Sequence, residues 1–143
     1  MAACYWDTSA LLALLLSEAG GSRVRHLAAQ RGGLPGYTSF FTFVEMEAAY
    51  SRRLAEGSLT TETMARLRLQ AQKIESALAV VWPDPEVLCD ARRLVPDLGL
   101  RPADALQLAS ARRVAESEPG AVFASLDERL SEAAQAAGLA LPW

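Results

Sequence analysis

Histidine and lysine are almost missing from this chain: 143 residues contain one of each, His26 and Lys73. His26 lies in Arg23-Val24-Arg25-His26 on a polar helix and reads as a solvated surface residue. With no second histidine, Ser/His and Cys/His nucleophilic catalysis of the usual kind is excluded, as is cleavage through a histidine pair. Lys73 falls in mid-helix, so it is not the lysine after a late strand that a phosphoacceptor receiver domain needs. Two cysteines, Cys4 and Cys89, are too few for a disulfide scaffold, and a cytoplasmic chain with free thiols is the expectation. Cys4 sits inside an apolar run and reads as an inert core thiol. Thr8 to Ser17 is the longest leucine-rich stretch without charge or glycine, far short of the roughly 20 residues of a membrane span. Asp7 and Glu18 flank it, so it does not read as an export signal. Gly20-Gly21 and Gly32-Gly33 lack the strand–helix setting of a phosphate loop. Positive charge is scarce too. Fourteen bases against 17 acids give a net charge of −3, which at first argues against a nucleic-acid partner.

What is present is a globular composition, 51% apolar and 22% charged, fitting one domain over residues 1–143 with a proper core. Strand-like and helix-like stretches alternate. Ala2–Trp6 reads as a buried strand, and Thr8–Ser17 as a helix that Gly20 and Gly21 interrupt. Ser22 is expected to cap a helix over Arg23–Gln30, closed by Gly32 and Gly33. Leu34–Thr38 is a second strand candidate. Ser39 is expected to open a helix to about Glu56, and Thr60 or Thr61 another, with Met64, Leu67, Ala71, Ile74 and Leu78 on one face. Leu78–Trp82 reads as a strand. Asp84-Pro85-Glu86 starts a helix ending near Leu94 or Val95, because Pro96 disfavours helical geometry before it. Arg101-Pro102-Ala103-Asp104 opens a helix to about Ala115. Ala121–Ala124 is a strand, Ser125–Ala137 a helix closed by Gly138, and Leu139–Leu141 a last edge strand. Strands separated by helices imply parallel pairing, with helices on both faces of a central sheet of four to five strands.

In such folds ligands bind beyond the carboxyl ends of the strands, and acids gather there. Asp7 ends the first strand, Asp127 follows the Val122-Phe123-Ala124 strand, and Asp104 lies in a first helical turn. Capping or dipole roles explain each of these three singly. Glu45, placed mid-helix after Phe40, Phe41 and Phe43, has no such role, and a charge in that setting points to a partner or an ion. Glu47 lies roughly 160° around the helix from it and faces solvent instead. Asp84 is explained by capping, Asp90 by an outward helix face and Asp97 by a turn. Four carboxylates at one rim would repel unless a cation intervened, and hard Mg²⁺ or Mn²⁺ ions prefer such ligands. An all-carboxylate site therefore points to phosphoryl or phosphodiester chemistry.

The chain resembles the PIN-domain ribonucleases, and among them the VapC toxins of toxin–antitoxin pairs. Tyr5-Trp6-Asp7-Thr8-Ser9-Ala10-Leu11, Thr38-Ser39 with Glu45, the Arg101–Ala109 segment around Asp104, and Phe123-Ala124-Ser125-Leu126-Asp127 with Leu130 and Gly138-Leu139 carry the resemblance. It implies a three-layer α/β/α fold. It also implies a metal-dependent endoribonuclease acting on single-stranded RNA and leaving 5′-phosphate and 3′-hydroxyl ends. Asp7, Glu45, Asp104 and Asp127 would bind Mg²⁺ or Mn²⁺, with Ser9 beside the first acid. Ser125 stands where many members carry threonine, which keeps the hydroxyl. An antitoxin partner and a homodimer are implied as well, with Leu11–Leu16 and the phenylalanine cluster supplying apolar surface for the antitoxin. RNA contacts are open to Arg23, Arg25, Arg31, Arg52, Arg53, Arg112 and Arg113. A housekeeping RNA-processing nuclease and a catalytically silent binding module are the alternatives. Set the four acids aside and 13 of the 17 remain against 14 bases, so the site itself accounts for the negative balance.

Overall fold

The computed structural model describes residues 2–32 and 36–143. Four short strands form one parallel sheet in the order β3-β2-β1-β4, with β1 Cys4–Trp6, β2 Gly36–Ser39, β3 Ala79–Val81 and β4 Val122–Ala124. The register pairs Tyr5 with Tyr37 on one side and with Phe123 on the other. Of the expected second strand, Leu34 and Pro35 lie outside the described residues. The expected last strand is reduced to a single parallel bridge between Ala140 and Val122.

Among the described residues, seven helices fill the connections: α1 Thr8–Leu16, α2 Gly21–Arg31, α3 Thr42–Ala55, α4 Thr61–Ala77, α5 Pro85–Leu98, α6 Pro102–Ser117 and α7 Glu128–Ala136. Alternation along β1 divides the core. Cys4 and Trp6 point to α1–α4 and join Val24, Leu27, Met46, Tyr50 and Leu67, while Tyr5 points to α5–α7 and joins Val87, Leu94, Leu108, Phe123 and Leu130. Tyr5 and Phe123 stack across the β1–β4 pair at 5.7 Å. Among the described residues, no helix is long and apolar enough to cross a membrane.

Several boundaries differ from the sequence reading, each for a local reason. Ser39 belongs to β2, fully buried, and its Oγ accepts from the Phe41 N–H, so α3 begins three residues late at Thr42. Glu45 therefore lies in the first turn of α3, not in its middle. The α2 helix starts at Gly21, not after Ser22, because Gly20 turns the chain at a φ of +84°. Helix α5 runs through Pro96 to Leu98. Pro96 is exposed, so the carbonyl that loses its N–H partner opens to water, and Gly99 closes the helix in a left-handed cap. The α7 helix begins at Glu128 rather than Ser125, with Asp127 as its cap.

The chain moves from β1 outward to β2 and β3, then returns to the other side of β1 as β4. From β4 it continues through α7 to Ala140, away from β1. The connections after β1 and β4 thus leave in opposite directions. A crevice opens between their carboxyl ends, which is where doubly wound sheets bind ligands.

Candidate active site

Asp7 closes β1 at that crevice. Its backbone N–H donates to the Ala124 carbonyl at 2.9 Å, which ties the end of β1 to the end of β4. The side chain is 4% exposed and caps α1. One oxygen, Oδ2, takes all its hydrogen bonds: from Ser9 Oγ at 2.7 Å, the Ser9 N–H at 3.4 Å and Ser125 Oγ at 2.8 Å. Ser9 Oγ in turn accepts from the Leu126 N–H at 2.9 Å, and Ser125 Oγ from the Asp127 N–H at 3.1 Å. The two hydroxyls therefore lock Asp7 to the β4–α7 turn. Ser125, the expected start of the last helix, is a partner of Asp7 instead. Burial pushes the Asp7 carboxyl up to about 6; the two serine hydrogen bonds pull against that, and the charge of Glu45 adds to it.

Glu45 faces the same crevice from α3. Its Oε1 accepts from Thr8 Oγ1 at 2.8 Å and from Gln107 Nε2 at 2.7 Å. Glu47 is exposed and held by Arg68 in a two-point ion pair, at 3.0 and 2.8 Å, as the angular argument anticipates. Asp104 occupies the first turn of α6, half-buried. Burial raises its pKa, Asp127 and Glu45 add to the rise, and Arg101 and Arg129 oppose it. Asp127 is exposed and caps α7, its Oδ1 accepting from the Leu130 N–H at 3.0 Å.

The residue that composition did not flag is Gln107. It is 1% exposed, one turn beyond Asp104 on α6, and its amide joins three layers. Nε2 donates toward Glu45, Thr8 Oγ1 and Thr42 Oγ1, the last two both at 2.9 Å, while Oε1 accepts from the Tyr5 hydroxyl at 2.6 Å. A glutamine between Leu106 and Leu108, three residues after a candidate acid, was the available signal. Thr8, part of the Tyr5–Leu11 motif, holds Glu45 as well.

The fit to a hard cation lies in what these hydrogen bonds leave over. As the side chains stand, no three histidine, cysteine or acid groups among the described residues are gathered to hold an ion. Yet Asp7, Glu45 and Asp127 are each tethered through one oxygen, leaving Oδ1, Oε2 and Oδ2 free, and no described residue bonds the Asp104 carboxylate. Oxygen donors, mutual repulsion and raised pKa values suit a Mg²⁺- or Mn²⁺-type ion.

Residues 4–136 match the family described as PIN domain. The chain belongs to that family. Within it, this PIN domain is 30% identical to "Ribonuclease VapC35" of Mycobacterium tuberculosis over 139 residues, covering 96% of this chain and 93% of that protein. It is 33% identical to "Ribonuclease VapC49" of the same organism over 134 residues, covering 94% and 90%. Among solved structures it is similar to PAE2754 from Pyrobaculum aerophilum, with a TM-score of 0.63 and 23% identity over 92% of this chain and 79% of that one. That last likeness concerns the fold.

The basic residues of this PIN domain sort by partner. Arg31 is buried and donates to the Ala2 and Ala3 carbonyls, so it is a structural residue. Arg53 pairs with Glu18, Arg112 with Asp90, and Arg113 with Glu86 and Glu116. Arg23 lies over the Trp143 ring at 5.6 Å. Arg52 makes no ion pair among the described residues and lines a groove of about 510 Å³ that begins at Ser9 and Leu126. His26 is exposed and bonded to Gln30, and burial pushes the Cys4 thiol up to about 12, so neither is a nucleophile.

Proposed function

We propose that this PIN domain is a metal-dependent endoribonuclease that cuts single-stranded RNA, and that it is the toxin of a toxin–antitoxin pair. The observation that carries the reading is the set of four acids at the β1–β4 switch point, each with at least one carboxylate oxygen left free. The ribonuclease names of its relatives across nearly the whole chain support it.

Asp7, Glu45, Asp104 and Asp127 would hold Mg²⁺ or Mn²⁺. Bound there, the ion supplies an activated water and neutralises charge on the phosphate and the leaving oxygen. The chain's own residues set the geometry. Ser9 and Ser125 hold Asp7 through Oδ2 and favour its ionised form, leaving Oδ1 free of hydrogen bonds. Gln107 and Thr8 hold Glu45 through Oε1 and leave Oε2 without a hydrogen bond. The groove beside Ser9, with Arg52 in it, gives a single strand a path to the acids. Products would carry 5′-phosphate and 3′-hydroxyl ends.

The VapC names of its relatives favour a toxin over an RNA-processing enzyme, and an antitoxin is then the protein partner. Purified protein incubated with unstructured RNA and Mg²⁺ or Mn²⁺ tests the enzymatic part. Cleavage by the wild type and its loss in Asp7→Asn and Asp104→Asn is the expected result. Equal cleavage by all three proteins would refute the assignment.

A further inference from the structure

Two arginines flank the candidate acids of α6 and α7. Arg101 is the residue before the first turn of α6, three positions ahead of Asp104, and Arg129 is in the first turn of α7, two positions after Asp127. Helices α6 and α7 pack against each other, so both guanidinium groups belong to the wall that carries these two acids. Both are exposed. Arg53, Arg68, Arg112 and Arg113 are engaged in ion pairs and Arg31 on buried carbonyls; Arg25, Arg52, Arg92 and Arg93 also lack such partners, but none of them lies within three positions of a candidate acid. Among the described residues, Arg101 and Arg129 form no ion pair within 4.0 Å and no side-chain hydrogen bond. Their charge is felt at Asp104 all the same.

In a chain with net charge −3, four arginines are paired with internal acids, so the placement of the others decides where a polyanion can approach. Leaving two free beside the carboxylates places positive charge where a phosphodiester must approach four acids. A guanidinium presents a fork of donors that matches a phosphate, and the side chains are long enough to swing toward one. We infer that Arg101 and Arg129 form a phosphate grip on the α6–α7 side of the site, holding the RNA backbone next to the scissile bond. The inference rests on the ribonuclease reading and goes beyond it by naming the groups that position the substrate. Both are positioning residues, since the reacting atoms belong to the acids.

The test separates binding from cleavage. In the Asp7→Asn background, the affinity for a labelled, unstructured oligoribonucleotide is measured against salt concentration. Each phosphate contact removed lowers the slope of log affinity against log salt by about 0.7. Arg101→Gln/Arg129→Gln should lower it by about 1.4 and weaken binding by roughly tenfold, while lysine at both positions retains most of the slope. Arg66→Gln on α4, across the sheet, removes one exposed positive charge away from the acids and should change neither quantity. In the active protein, the double glutamine variant should raise KM far more than it lowers kcat. If affinity and slope match those of the Arg66→Gln protein, the inference is overturned. It is equally overturned if the double variant changes only the melting temperature, since the pair would then merely offset repulsion among the acids. Wild-type protein that fails to cut RNA at all would instead refute the ribonuclease reading.

Discussion

At the scale of single residues, the site is a balance between charge and restraint. Asp7 is almost fully enclosed, and burial lifts its pKa from near 4 to about 6. A raised pKa means that the fold favours the protonated form, so this stabilising contribution is complete below about pH 4 and lost as pH rises through about 6. Without divalent ions, Asp7→Asn should therefore raise the thermal midpoint at pH 7 by several degrees and leave it unchanged near pH 4. Asparagine keeps the oxygen that accepts from Ser9 and Ser125 and alters only the free one. Thermal melts at the two pH values check this; equal shifts at both would contradict it. Protons compete with cations for the same oxygens, so cleavage should climb between pH 5 and 7. Gln107 carries the opposite liability. Gln107→Leu leaves the Tyr5 hydroxyl, Thr8, Thr42 and Glu45 short of a partner, and should cost about 2–4 kcal/mol in denaturant unfolding. Cleavage should fall with it, because Glu45 loses one of its two supports.

At the scale of elements, close approach and chain reversal decide stability more than propensity does. A Cβ on Gly21 would sit 2.6 Å from the Ala13 carbonyl oxygen, backbone that cannot step aside without moving α1 against α2. Gly21→Ala should destabilise by about 1–3 kcal/mol in chemical denaturation. Gly99, at φ +63° with open space around it, tests conformation alone, and Gly99→Ala should cost about 1 kcal/mol. Much of the element order was legible in the sequence, because apolar runs broken by Gly, Pro and capping acids punctuate the chain. Asp84 caps α5 at the Val87 N–H and Thr60 caps α4, as their positions imply. The starts of α2, α3 and α7 were not legible. In each case a serine with good capping chemistry, Ser22, Ser39 or Ser125, stands where the pattern predicts the helix to start. Tertiary contacts settled these positions: Ser39 and Ser125 are buried partners of other groups, and the α1–α2 approach sets Gly21. The four acids were legible as candidates at strand ends and helix starts. Gln107 and the one-oxygen tethering depend on contacts between residues up to 118 positions apart, which no local pattern encodes.

At the scale of the whole molecule, the four acids share one feature: Asp7 and Asp127 cap α1 and α7, and Glu45 and Asp104 lie in the first turns of α3 and α6. The topology thus aims the amino ends of four helices at the carboxyl ends of β1 and β4. Each such end favours negative charge by about 0.3–1 kcal/mol, which partly offsets the repulsion of gathering carboxylates before a cation arrives. The capping role and the proposed metal role are therefore the same placement used twice. The net charge of −3 reads differently in this light, since it is concentrated where a cation would cancel it. Titrating Mg²⁺ or Mn²⁺ into purified wild-type and Asp104→Asn protein, while following RNA cleavage and melting temperature in the same samples, addresses this directly. Cleavage and stabilisation should rise together over one range of ion concentration in the wild type, with both shifted to higher concentration or lost in Asp104→Asn. Full cleavage in the presence of a chelator, or identical curves for the two proteins, would rule out the four-acid metal site.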